Sequence, residues 1–521
     1  MRSGPAERVG SDAVSGNPRP RTVPPVRVGD LAARLTVAAP AGAADLTVTG
    51  VTHASGEVRP GDLYAALPGA RRHGAEFVPA ARAAGAVAVL TDPAGVGAAA
   101  TAGLPALVVT DPRAVLGTVA AAVYGEPSRE LTMIGVTGTA GKTSTAYLIE
   151  SGLRAAGHVT GLIGTVETRL GDLRVDSVRT TPEATDLHAM LAAAREQGVT
   201  SVVMEVSSHA LAMGRVGGVR FAVGGYTNFG SDHLDFHADV ADYFAAKAQL
   251  FDGRCAVEVL NHDDPALRPL YKPDTVSYSA AGDPTATWWA ADVHDAGYAQ
   301  RFTAYGPDGI VVAAGVGLPG RHNVANALLA IASLVATGVD PETAAAGVAA
   351  CPGVPGRLEL VDAPGPVRGV VDYAHKPDAI VAALAALREP GGGGRLICVL
   401  GAGGDRDRGK RPVMGAAAAR GADLLLITDD NPRTEDPAAI RAEVRAGAQA
   451  AGGRARILEV AGRRAAIDEA VRLAEPGDVI AVLGKGHERG QEIGGEMHPF
   501  DDKVELGAAL TSRFGHLVER S

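Results

Sequence analysis

The sequence contains little cysteine, few aromatic residues and no long apolar segment. Its three cysteines, Cys255, Cys351 and Cys398, are far apart, and no Cys-x-x-Cys pair occurs among the 521 residues. Neither a disulfide framework nor a zinc site of thiolates is supported, and we expect buried, unreactive thiols in a reducing cytosol. No run approaches the roughly 18 apolar residues that a membrane-spanning helix needs, so we expect no membrane insertion.

Composition and charge indicate a globular protein and argue against one class of partner. Apolar residues make up 46% of the chain and charged residues 21%, as in ordinary soluble domains. The net charge of −10 argues against a nucleic-acid partner, although it leaves room for a local basic pocket for phosphates. Residues 1–27 mix Pro, Gly, Arg and Ser without an apolar core. We therefore expect a disordered lead-in, no signal peptide and a cytoplasmic protein.

The length and two turn-rich segments predict three domains. At about 150 residues per domain, a chain of this length is expected to form about three. Turn-forming residues at Gly125–Ser128 and Gly353–Gly356 mark the boundaries. The predicted domains therefore cover residues 28–127, 128–356 and 357–521.

Continuous apolar runs predict parallel sheets in the second and third domains. Ser201–Val206 and Val219–Tyr226 are typical of strands that are buried on both faces. The third domain alternates four such runs with helical or Gly-rich segments, which is the pattern of a doubly wound domain. We predict an α/β protein with an N-terminal α/β domain, a central P-loop-type parallel sheet and a C-terminal Rossmann-like domain. Residues just after the strands are then the candidates for ligand binding.

A glycine-rich turn between a predicted strand, Leu131–Val136, and a predicted helix, Thr143–Ala156, has the composition of a phosphate-binding loop. The loop consists of Gly138, Thr139, Ala140, Gly141, Lys142, Thr143 and Ser144. In this context backbone N–H groups and the helix N-terminus converge on an anion, Lys142 adds a positive charge, and Thr143 or Ser144 offers a hydroxyl to Mg²⁺. The spacing is the short G-x-x-G-K-T form. A glycine turn with a surface lysine is the alternative interpretation.

Glu205 and Lys247 are further candidates in the second domain. Glu205 ends a predicted strand and has the carboxylate oxygens that Mg²⁺ prefers, although a single carboxylate is more often a surface charge. Lys247 lies in the amphipathic stretch Tyr243–Phe251, where a buried lysine would be a nucleophilic amine and an exposed one is the default. His237 is interpreted as a structural histidine rather than a ligand.

Charged residues follow three predicted strands of the third domain. Arg406, Asp430, Arg433 and Glu488 each come shortly after a strand, so we expect two cations and two anions at one edge of the sheet. Guanidinium groups pair with carboxylates and acidic groups bind ammonium, so this cluster suits a zwitterionic ligand. A network of surface ion pairs is the alternative.

Taken together in their order, these motifs resemble those of the Mur ligase superfamily. The resembling segments are Gly138–Thr143, Thr180–Pro182, Met204–His209, Asp232–Asp235, Ala246–Lys247, His322–Asn323 with Asn326, Asp372–His375, Gly403–Pro412, Asp430–Arg433 and Gly484–Glu488. The resemblance extends from about Val28 to the C-terminus. It implies an N-terminal domain for a uridine nucleotide, a central ATPase and a C-terminal amino-acid domain.

The resemblance also implies roles for individual residues. Those implied to bind ATP are Gly138 to Ser144 of the loop, Asn326, Arg357, Asp372 and His375. Those implied to bind the UDP-linked substrate are Ser55, Thr180, Thr181, Ser207 and Arg215. Those implied to bind Mg²⁺ are Thr143, Glu205, His233 and Lys247, the last as a carbamate. The implied catalytic residues are Lys142, Lys247 and His233.

Five positions depart from the pattern of the superfamily. Ala54-Ser55-Gly56 stands where Asp-Ser-Arg is usual, and Met213 replaces a frequent glutamine. Lys376 and Ala140 replace a usual threonine and asparagine. Because the loop amides and its lysine remain, these changes leave the phosphate-binding prediction intact.

The implied activity is ATP-dependent addition of diaminopimelate to UDP-N-acetylmuramoyl-L-alanyl-D-glutamate, through an acyl phosphate, in peptidoglycan precursor synthesis by a monomer. The residues implied to bind diaminopimelate are Arg406, Asp430, Asn431, Pro432, Arg433, Gly484 and Glu488. Diaminopimelate carries a distal carboxylate that lysine lacks, and Arg433 with Arg406 suits that group, whereas Asp430 and Glu488 suit the distal ammonium.

Three other functions stay open at this point. A folylpolyglutamate synthetase-like ligase would share the short loop and the lysine, but would lack the N-terminal domain and the Asp430–Arg433 motif. A ligase that adds D-alanyl-D-alanine is disfavoured by Arg433. A catalytically silent nucleotide-binding scaffold would be expected to lack Lys142 or Glu205, and both are present.

Overall fold

The structure is a computed structural model, which describes residues 17–175, 177–388 and 393–515. Contacts divide the chain into two units. The first contains residues up to 289 together with 305–312 and 328–348, and the second contains 290–304, 313–327 and the chain from 349 onward. These units do not coincide with the three predicted domains, whose bounds stay predictions. The predicted α/β class is confirmed.

The N-terminal part of the first unit is built on a small parallel sheet. Its elements are β1 (Val26–Arg27), α1 (Val28–Leu35), β2 (Thr47–Val48), β3 (Gly50–Thr52), β4 (Asp62–Ala66), α2 (Val78–Ala83), β5 (Ala88–Thr91), α3 (Val96–Thr101), β6 (Ala106–Val108) and α4 (Pro112–Val123). Strands β3 to β6 pair in parallel in chain order. Helix α4 begins where the Asp111 side chain accepts hydrogen bonds from the N–H groups of Arg113 and Ala114.

The expectation of a disordered lead-in over residues 1–27 is wrong for its second part. The Arg19 guanidinium lies 2.8 Å from the Asp62 carboxylate, which is almost fully buried. Val26–Arg27 pairs with Thr47–Val48 as β1 and β2. A charge partner 43 residues away cannot be read from local composition, which is why this order was missed. Residues 1–16 lie outside the described residues.

The remainder of the first unit surrounds a larger sheet. Its elements are β7 (Thr132–Thr137), α5 (Lys142–Ala155), β8 (Thr160–Ile163), β9 (Thr168–Leu170), β10 (Leu173–Val175), α6 (Ala184–Glu196), β11 (Ser201–Glu205), α7 (Ser208–Ala212), β12 (Phe221–Tyr226), α8 (Val240–Ala248), β13 (Cys255–Asn261) and β14 (Val276–Ser279). The next elements along the chain are divided between the two units and are β15 (Trp288–Ala296), β16 (Ala299–Tyr305), β17 (Val311–Val316), α9 (Arg321–Ala336) and α10 (Pro341–Ala349).

The order of the strands in this sheet brings three strand ends together. The sequence of neighbours is β10-β9-β8-β11-β7-β12-β13-β14. Within it, the six adjacent strands β8, β11, β7, β12, β13 and β14 are parallel to one another. Strand β7, which leads into the glycine-rich loop, therefore lies between β11 and β12. The carboxyl ends of these three strands form one edge, the expected place for a ligand in a parallel sheet.

The second unit contains a doubly wound sheet. Its elements are β18 (Glu359–Val361), β19 (Arg368–Asp372), α11 (Pro377–Arg388), β20 (Leu396–Ala402), α12 (Lys410–Gly421), β21 (Leu424–Asp429), α13 (Pro437–Ala450), β22 (Arg456–Glu459), α14 (Arg463–Leu473), β23 (Val479–Leu483), β24 (Gly490–Ile493), β25 (Glu496–Pro499) and α15 (Asp502–Phe514). The strand order is β18-β19-β23-β20-β21-β22, and only β18 runs antiparallel to its neighbour.

Alternation along the strands divides the core of this unit into two layers. Cys398 and Leu400 of β20 pack with α11, α12 and α13. Ile397 and Val399 of the same strand pack with α14 and α15. Successive side chains of a strand point to opposite faces, so one continuous apolar run supplies both layers. The predicted apolar runs of this domain are confirmed as buried strands.

The three cysteines are free and buried, as predicted. Burial raises the pKa of the Cys255 and Cys398 thiols to about 12, so these thiols stay protonated at neutral pH. No helix in the described part of the chain is long and apolar enough to cross a membrane.

A fully buried ion pair joins the first turns of α14 and α15. Arg463 donates from Nε and Nη2 to the two carboxylate oxygens of Asp502, at 2.7 and 2.6 Å. Arg463 Nη2 also donates to the carbonyl oxygen of Leu483, the last residue of β23, at 3.0 Å. Neither side chain of the pair is exposed to solvent. The pair therefore fixes both helices to the end of a central strand.

We predict that Arg463→Met lowers the free energy of unfolding by about 3–5 kcal/mol, because it leaves the Asp502 carboxylate buried without its partner. The measurement is urea unfolding followed by circular dichroism. Arg472→Met on the same helix is the control. Arg472 pairs with Glu469 on the surface and should leave the midpoint nearly unchanged. Equal midpoints for both variants would contradict the prediction.

Candidate functional site

The glycine-rich loop after β7 is attached to the segment that follows β12. The N–H of Thr139 donates to the Asn228 carbonyl at 2.8 Å, and the N–H of Ala140 donates to Asn228 Oδ1 at 3.0 Å. Thr227 Oγ1 donates to the Ala140 carbonyl at 2.5 Å. Gly138 has φ +143°, where a side chain would overlap Thr227 Oγ1. The backbone angle and the closeness of Thr227 together therefore favour glycine at position 138.

Two lysines converge on this loop. Lys142 Nζ donates to the carbonyls of Gly138 and Thr139, at 2.8 and 3.2 Å. Lys247 Nζ donates to the same Gly138 carbonyl at 2.8 Å and lies 4.7 Å from the centre of the Tyr243 ring. Lys247 is only 1% exposed. The default expectation of a surface lysine at this position is wrong, because Tyr243 and the loop cover it.

Glu205 ends β11 and is buried beside the first turn of α5. Its Oε2 accepts hydrogen bonds from Thr143 Oγ1 at 3.0 Å and from Thr165 Oγ1 at 3.1 Å. Its Oε1 accepts from the Thr165 N–H at 2.8 Å. This carboxylate therefore accepts hydrogen bonds from three donors. The sequence reasoning missed Thr165, although it follows β8 at the same edge of the sheet.

His233 lies near the loop in a cluster of aromatic rings. It has φ +53°, and its Nε2 lies 3.2 Å from Asp232 Oδ2. The centre of the His209 ring lies 4.7 Å from that of His233. Burial and the neighbouring His237 lower the pKa of His209, which favours its neutral form. His237 is buried, its Nδ1 lies 3.1 Å from Asp242 Oδ2, and its Nε2 has no hydrogen-bond partner among the described residues, so its interpretation as a structural histidine stays a prediction.

No set of three His, Cys, Asp or Glu side chains that could hold a metal ion occurs in residues 17–175, 177–388 and 393–515. The buried Glu205 carboxylate beside the Thr143 hydroxyl supplies hard oxygen donors, and such donors fit Mg²⁺ better than a transition metal.

Four residues implied to bind the UDP-linked substrate form one connected group. Thr180 Oγ1 lies 3.0 Å from Thr165 Oγ1. Thr181 Oγ1 donates to the Glu205 carbonyl at 2.8 Å and accepts from the Ser207 N–H at 3.1 Å. Arg215 donates to the Thr181 carbonyl at 3.3 Å. These contacts place the group directly beside Glu205.

Arg215 has two further contacts, and Ser55 belongs to a different segment of the chain. Arg215 Nη2 pairs with Glu183 at 2.9 Å and contacts the sulfur of Met213 at 3.4 Å. The thioether of Met213 therefore still touches the guanidinium, but it is a weak acceptor. Ser55 lies in a short 3₁₀ turn at Ser55–Glu57.

The four further residues implied to bind ATP belong to the second unit. Asp372 ends β19 and accepts from the N–H groups of Leu358 and Ala374, each at 2.7 Å. Burial raises the pKa of the Asp372 carboxyl, while nearby Arg357 opposes that shift. The Arg357 guanidinium lies 4.6 Å from the centre of the Tyr373 ring.

His375 and Asn326 are held by local contacts. His375 Nδ1 lies 2.7 Å from the Tyr373 carbonyl, and the centres of these two rings are 4.5 Å apart. Asn326 Nδ2 donates to Asn323 Oδ1 at 3.0 Å, and both side chains are buried in helix α9.

The residues implied to bind diaminopimelate follow the ends of β20, β21 and β23, as the sequence predicts. Asp430, Asn431 and Arg433 with Pro432 follow β21, and Gly484 with Glu488 follows β23. Arg406 lies in the exposed loop after β20. That loop is anchored by the buried Arg411, which donates to the Gly403 carbonyl and pairs with Glu435.

The prediction of a simple cluster of two cations and two anions is incomplete, because two further charged groups pair with it. Glu492 of β24 accepts from Arg433 Nε at 3.1 Å, and Arg433 Nη1 donates to the Gly404 carbonyl at 2.6 Å. The buried Lys485 lies 3.3 Å from Glu488 and 3.5 Å from Asp430. Lys485 could have been identified as a candidate from the sequence, since it stands between two glycines directly after a strand. Glu492 has no comparable sequence context.

Three family models match consecutive parts of the chain. The Mur ligase family, catalytic domain, matches residues 47–124, the Mur ligase middle domain matches 136–334, and the Mur ligase, glutamate ligase domain, matches 356–486. Their order along the chain is the order of the motifs described above.

Two curated relatives and one solved structure are similar over most of the chain. The UDP-N-acetylmuramoyl-L-alanyl-D-glutamate–2,6-diaminopimelate ligase of Streptomyces coelicolor is 54% identical over 506 residues, which is 96% of this chain and 99% of that protein. The protein of the same name from Corynebacterium glutamicum is 47% identical, covering 87% of this chain and 90% of that protein. A solved structure with this name has a TM-score of 0.68 and 31% identity, covering 94% of this chain and 99% of that one.

We predict that Gly138→Ala weakens ATP binding by about tenfold or more, because the loop must distort to relieve the overlap with Thr227 and the strained φ angle. The measurement is the ATP concentration dependence of phosphate release. Gly230→Ala, in the segment that contacts the loop, is the control, since its Cβ would meet Thr139 Cγ2 at an ordinary 3.8 Å. Similar ATP dependence for Gly138→Ala and the wild type would refute the role of this glycine.

Proposed function

The chain belongs to the Mur ligase family, and on this premise we propose how its residues carry out the reaction. It is an ATP-dependent ligase that adds 2,6-diaminopimelate to UDP-N-acetylmuramoyl-L-alanyl-D-glutamate in the synthesis of peptidoglycan precursors. The observation that carries our assignment is the convergence of Lys142 and Lys247 on the Gly138 carbonyl, in a loop whose Thr143 binds the buried Glu205.

In the first step, the terminal carboxylate of the D-glutamyl residue attacks the γ-phosphorus of ATP, and ADP leaves. The product is an acyl phosphate. We propose that Lys142 and N–H groups of the loop hold the phosphate oxygens and stabilise the charge that develops on them. Because one short loop carries both the lysine and these amides, they can act on the same phosphate group.

In the second step, an amino group of diaminopimelate attacks the acyl carbon. The tetrahedral intermediate then collapses, the C–O bond to phosphate breaks, inorganic phosphate leaves, and the nitrogen loses a proton. The new bond is an amide. Residues of the second unit that we propose to hold diaminopimelate in the orientation for this attack are Arg406, Asp430, Asn431, Pro432, Arg433, Gly484 and Glu488.

The remaining substrate contacts are proposed as follows. ATP is bound by Gly138 to Ser144 of the loop with Asn326, Arg357, Asp372 and His375. The UDP-linked substrate is bound by Ser55, Thr180, Thr181, Ser207 and Arg215. The proximity of Thr181 and Arg215 to Glu205 supports the second set, since the acceptor carboxylate must approach the phosphate-binding loop. We propose that the enzyme acts as a monomer, with domains at residues 28–127, 128–356 and 357–521.

Mg²⁺ is the proposed metal. Thr143, Glu205, His233 and a carbamylated Lys247 would hold it, and its charge would offset the negative charge of the phosphate oxygens. Carbamylation joins the neutral Lys247 amine to CO₂, forms an N–C bond and releases one proton. The burial of Lys247 supports this assignment, because a dry site favours a neutral amine and shields the product from water.

The carbamate is tested by ¹³C NMR of the enzyme in ¹³C-bicarbonate. We expect a carbamate carbonyl signal in the wild type that is absent from Lys247→Met, and a loss of at least about 100-fold in ligase rate for that variant. Lys272→Met is the matched control, since Lys272 pairs with Glu258 and is far more exposed. A wild-type spectrum identical to that of Lys247→Met would exclude the carbamate.

The choice of amino acid is tested by phosphate release with diaminopimelate, lysine or D-alanyl-D-alanine as the acceptor. We expect turnover with diaminopimelate. Arg433→Ala should lower kcat/KM for diaminopimelate by about 10- to 100-fold, because its distal carboxylate loses a charged partner, while KM for ATP changes little.

Arg445→Ala, which removes a half-exposed guanidinium paired with Glu459, is the control for Arg433→Ala. Unchanged KM and kcat for diaminopimelate in Arg433→Ala would rule out the proposed role of Arg433. Turnover with D-alanyl-D-alanine in place of diaminopimelate would contradict the substrate assignment.

A further inference from the structure

Lys485 is a fully buried cation among the residues proposed to bind the amino acid. It follows β23, and its side chain is 0% exposed. Its Nζ donates to Asn431 Oδ1 at 2.9 Å and to Glu488 Oε2 at 3.3 Å, and lies 3.5 Å from Asp430 Oδ1. One ammonium therefore contacts two segments, the turn after β21 and the turn after β23.

These contacts fix the orientation of the Asn431 amide. Asn431 Oδ1 accepts from Lys485 Nζ and from the Glu492 N–H, at 2.9 and 3.0 Å. Both partners are donors only, so the oxygen of the amide must face them. The Nδ2 group then faces the Glu488 carboxylate and donates to its Oε2 at 3.1 Å. Glu488 Oε2 thus receives two donors, one from Lys485 and one from Asn431.

The two carboxylates of Asp430 and Glu488 need the ammonium group of Lys485 as a partner. Asp430 and Glu488 are carboxylates that share Lys485 as a cation, and Asp430 is largely buried. Without Lys485, Asp430 would lose the cation beside its Oδ1, and the Asn431 amide would be free to rotate. A buried carboxylate without a partner either takes up a proton or draws in water, and each change alters the surface that the ligand meets.

We propose that Lys485 is a positioning residue for amino-acid recognition, which holds Asn431 and Glu488 in the orientation that binds diaminopimelate. Lys485 acts through these two side chains and does not touch the substrate, because it is buried beneath them. This inference rests on the proposed function, in which Asn431 and Glu488 bind diaminopimelate. Its consequence is selective: the affinity for diaminopimelate depends on Lys485, and the affinity for ATP does not.

The test is the kinetics of Lys485→Met, with phosphate release measured against diaminopimelate and, separately, against ATP. We expect KM for diaminopimelate to rise by at least about tenfold, while KM for ATP stays within about twofold. Lys485→Arg keeps the cation and should recover part of the loss. Lys503→Met, whose partly exposed lysine pairs with Glu359, should behave as the wild type.

A second variant keeps the test decisive if Lys485→Met does not fold. Asn431→Asp keeps the oxygen that accepts from Lys485 and from the Glu492 N–H, but it places an oxygen opposite Glu488 Oε2. We expect this variant to fold and to raise KM for diaminopimelate as well. Unchanged KM for diaminopimelate in either variant, or an equal rise in KM for both substrates, would overturn the proposal.

The wild type separates this inference from the proposed function. Absence of diaminopimelate-dependent phosphate release in the wild type would overturn the proposed function itself. Normal wild-type activity together with an unaffected Lys485→Met variant would overturn only the role of Lys485.

Discussion

The carbonyl oxygen of Gly138 accepts hydrogen bonds from the side-chain nitrogens of two lysines, and the chemistry that we propose for the first unit depends on this arrangement. Lys142 comes from the helix that the loop opens, whereas Lys247 comes from a helix more than 100 residues later. The backbone angle of Gly138 is open only to glycine at low cost. A single backbone group thus brings two distant lysines to the edge of the sheet where Glu205 is buried.

The two sheets provide charged side chains by the same physical rule. In each, a strand buried on both faces ends at an edge that it shares with its parallel neighbours, and the polar residues follow directly. Glu205 comes after four buried residues of β11, and Asp430 comes after β21. The apolar strands fix the positions of the backbone, so the turns are free to carry the polar groups that bind ligands.

Much of this could be predicted from the sequence, and the rest could not for identifiable reasons. Runs such as Ser201–Val206 predict strands because burial on both faces favours a stretch made up mainly of apolar residues. The phosphate loop is predictable because its glycines and Lys142 are adjacent in the chain. The pairings of Arg19 with Asp62, of Arg433 with Glu492 and of Lys485 with Asp430 are not predictable in this way, since each joins segments that are distant in sequence.

The pairing of Arg433 with Glu492 limits the freedom of a side chain that we propose to bind a carboxylate. The guanidinium is already oriented by Glu492 and by the Gly404 carbonyl, so it loses little rotational freedom when a second anion arrives. An arginine side chain that rotated freely in water would lose conformational entropy on binding, and this loss would offset part of its attraction for the anion. Here the protein has met that entropic cost during folding, so the carboxylate that we propose Arg433 binds would encounter a rigid receptor.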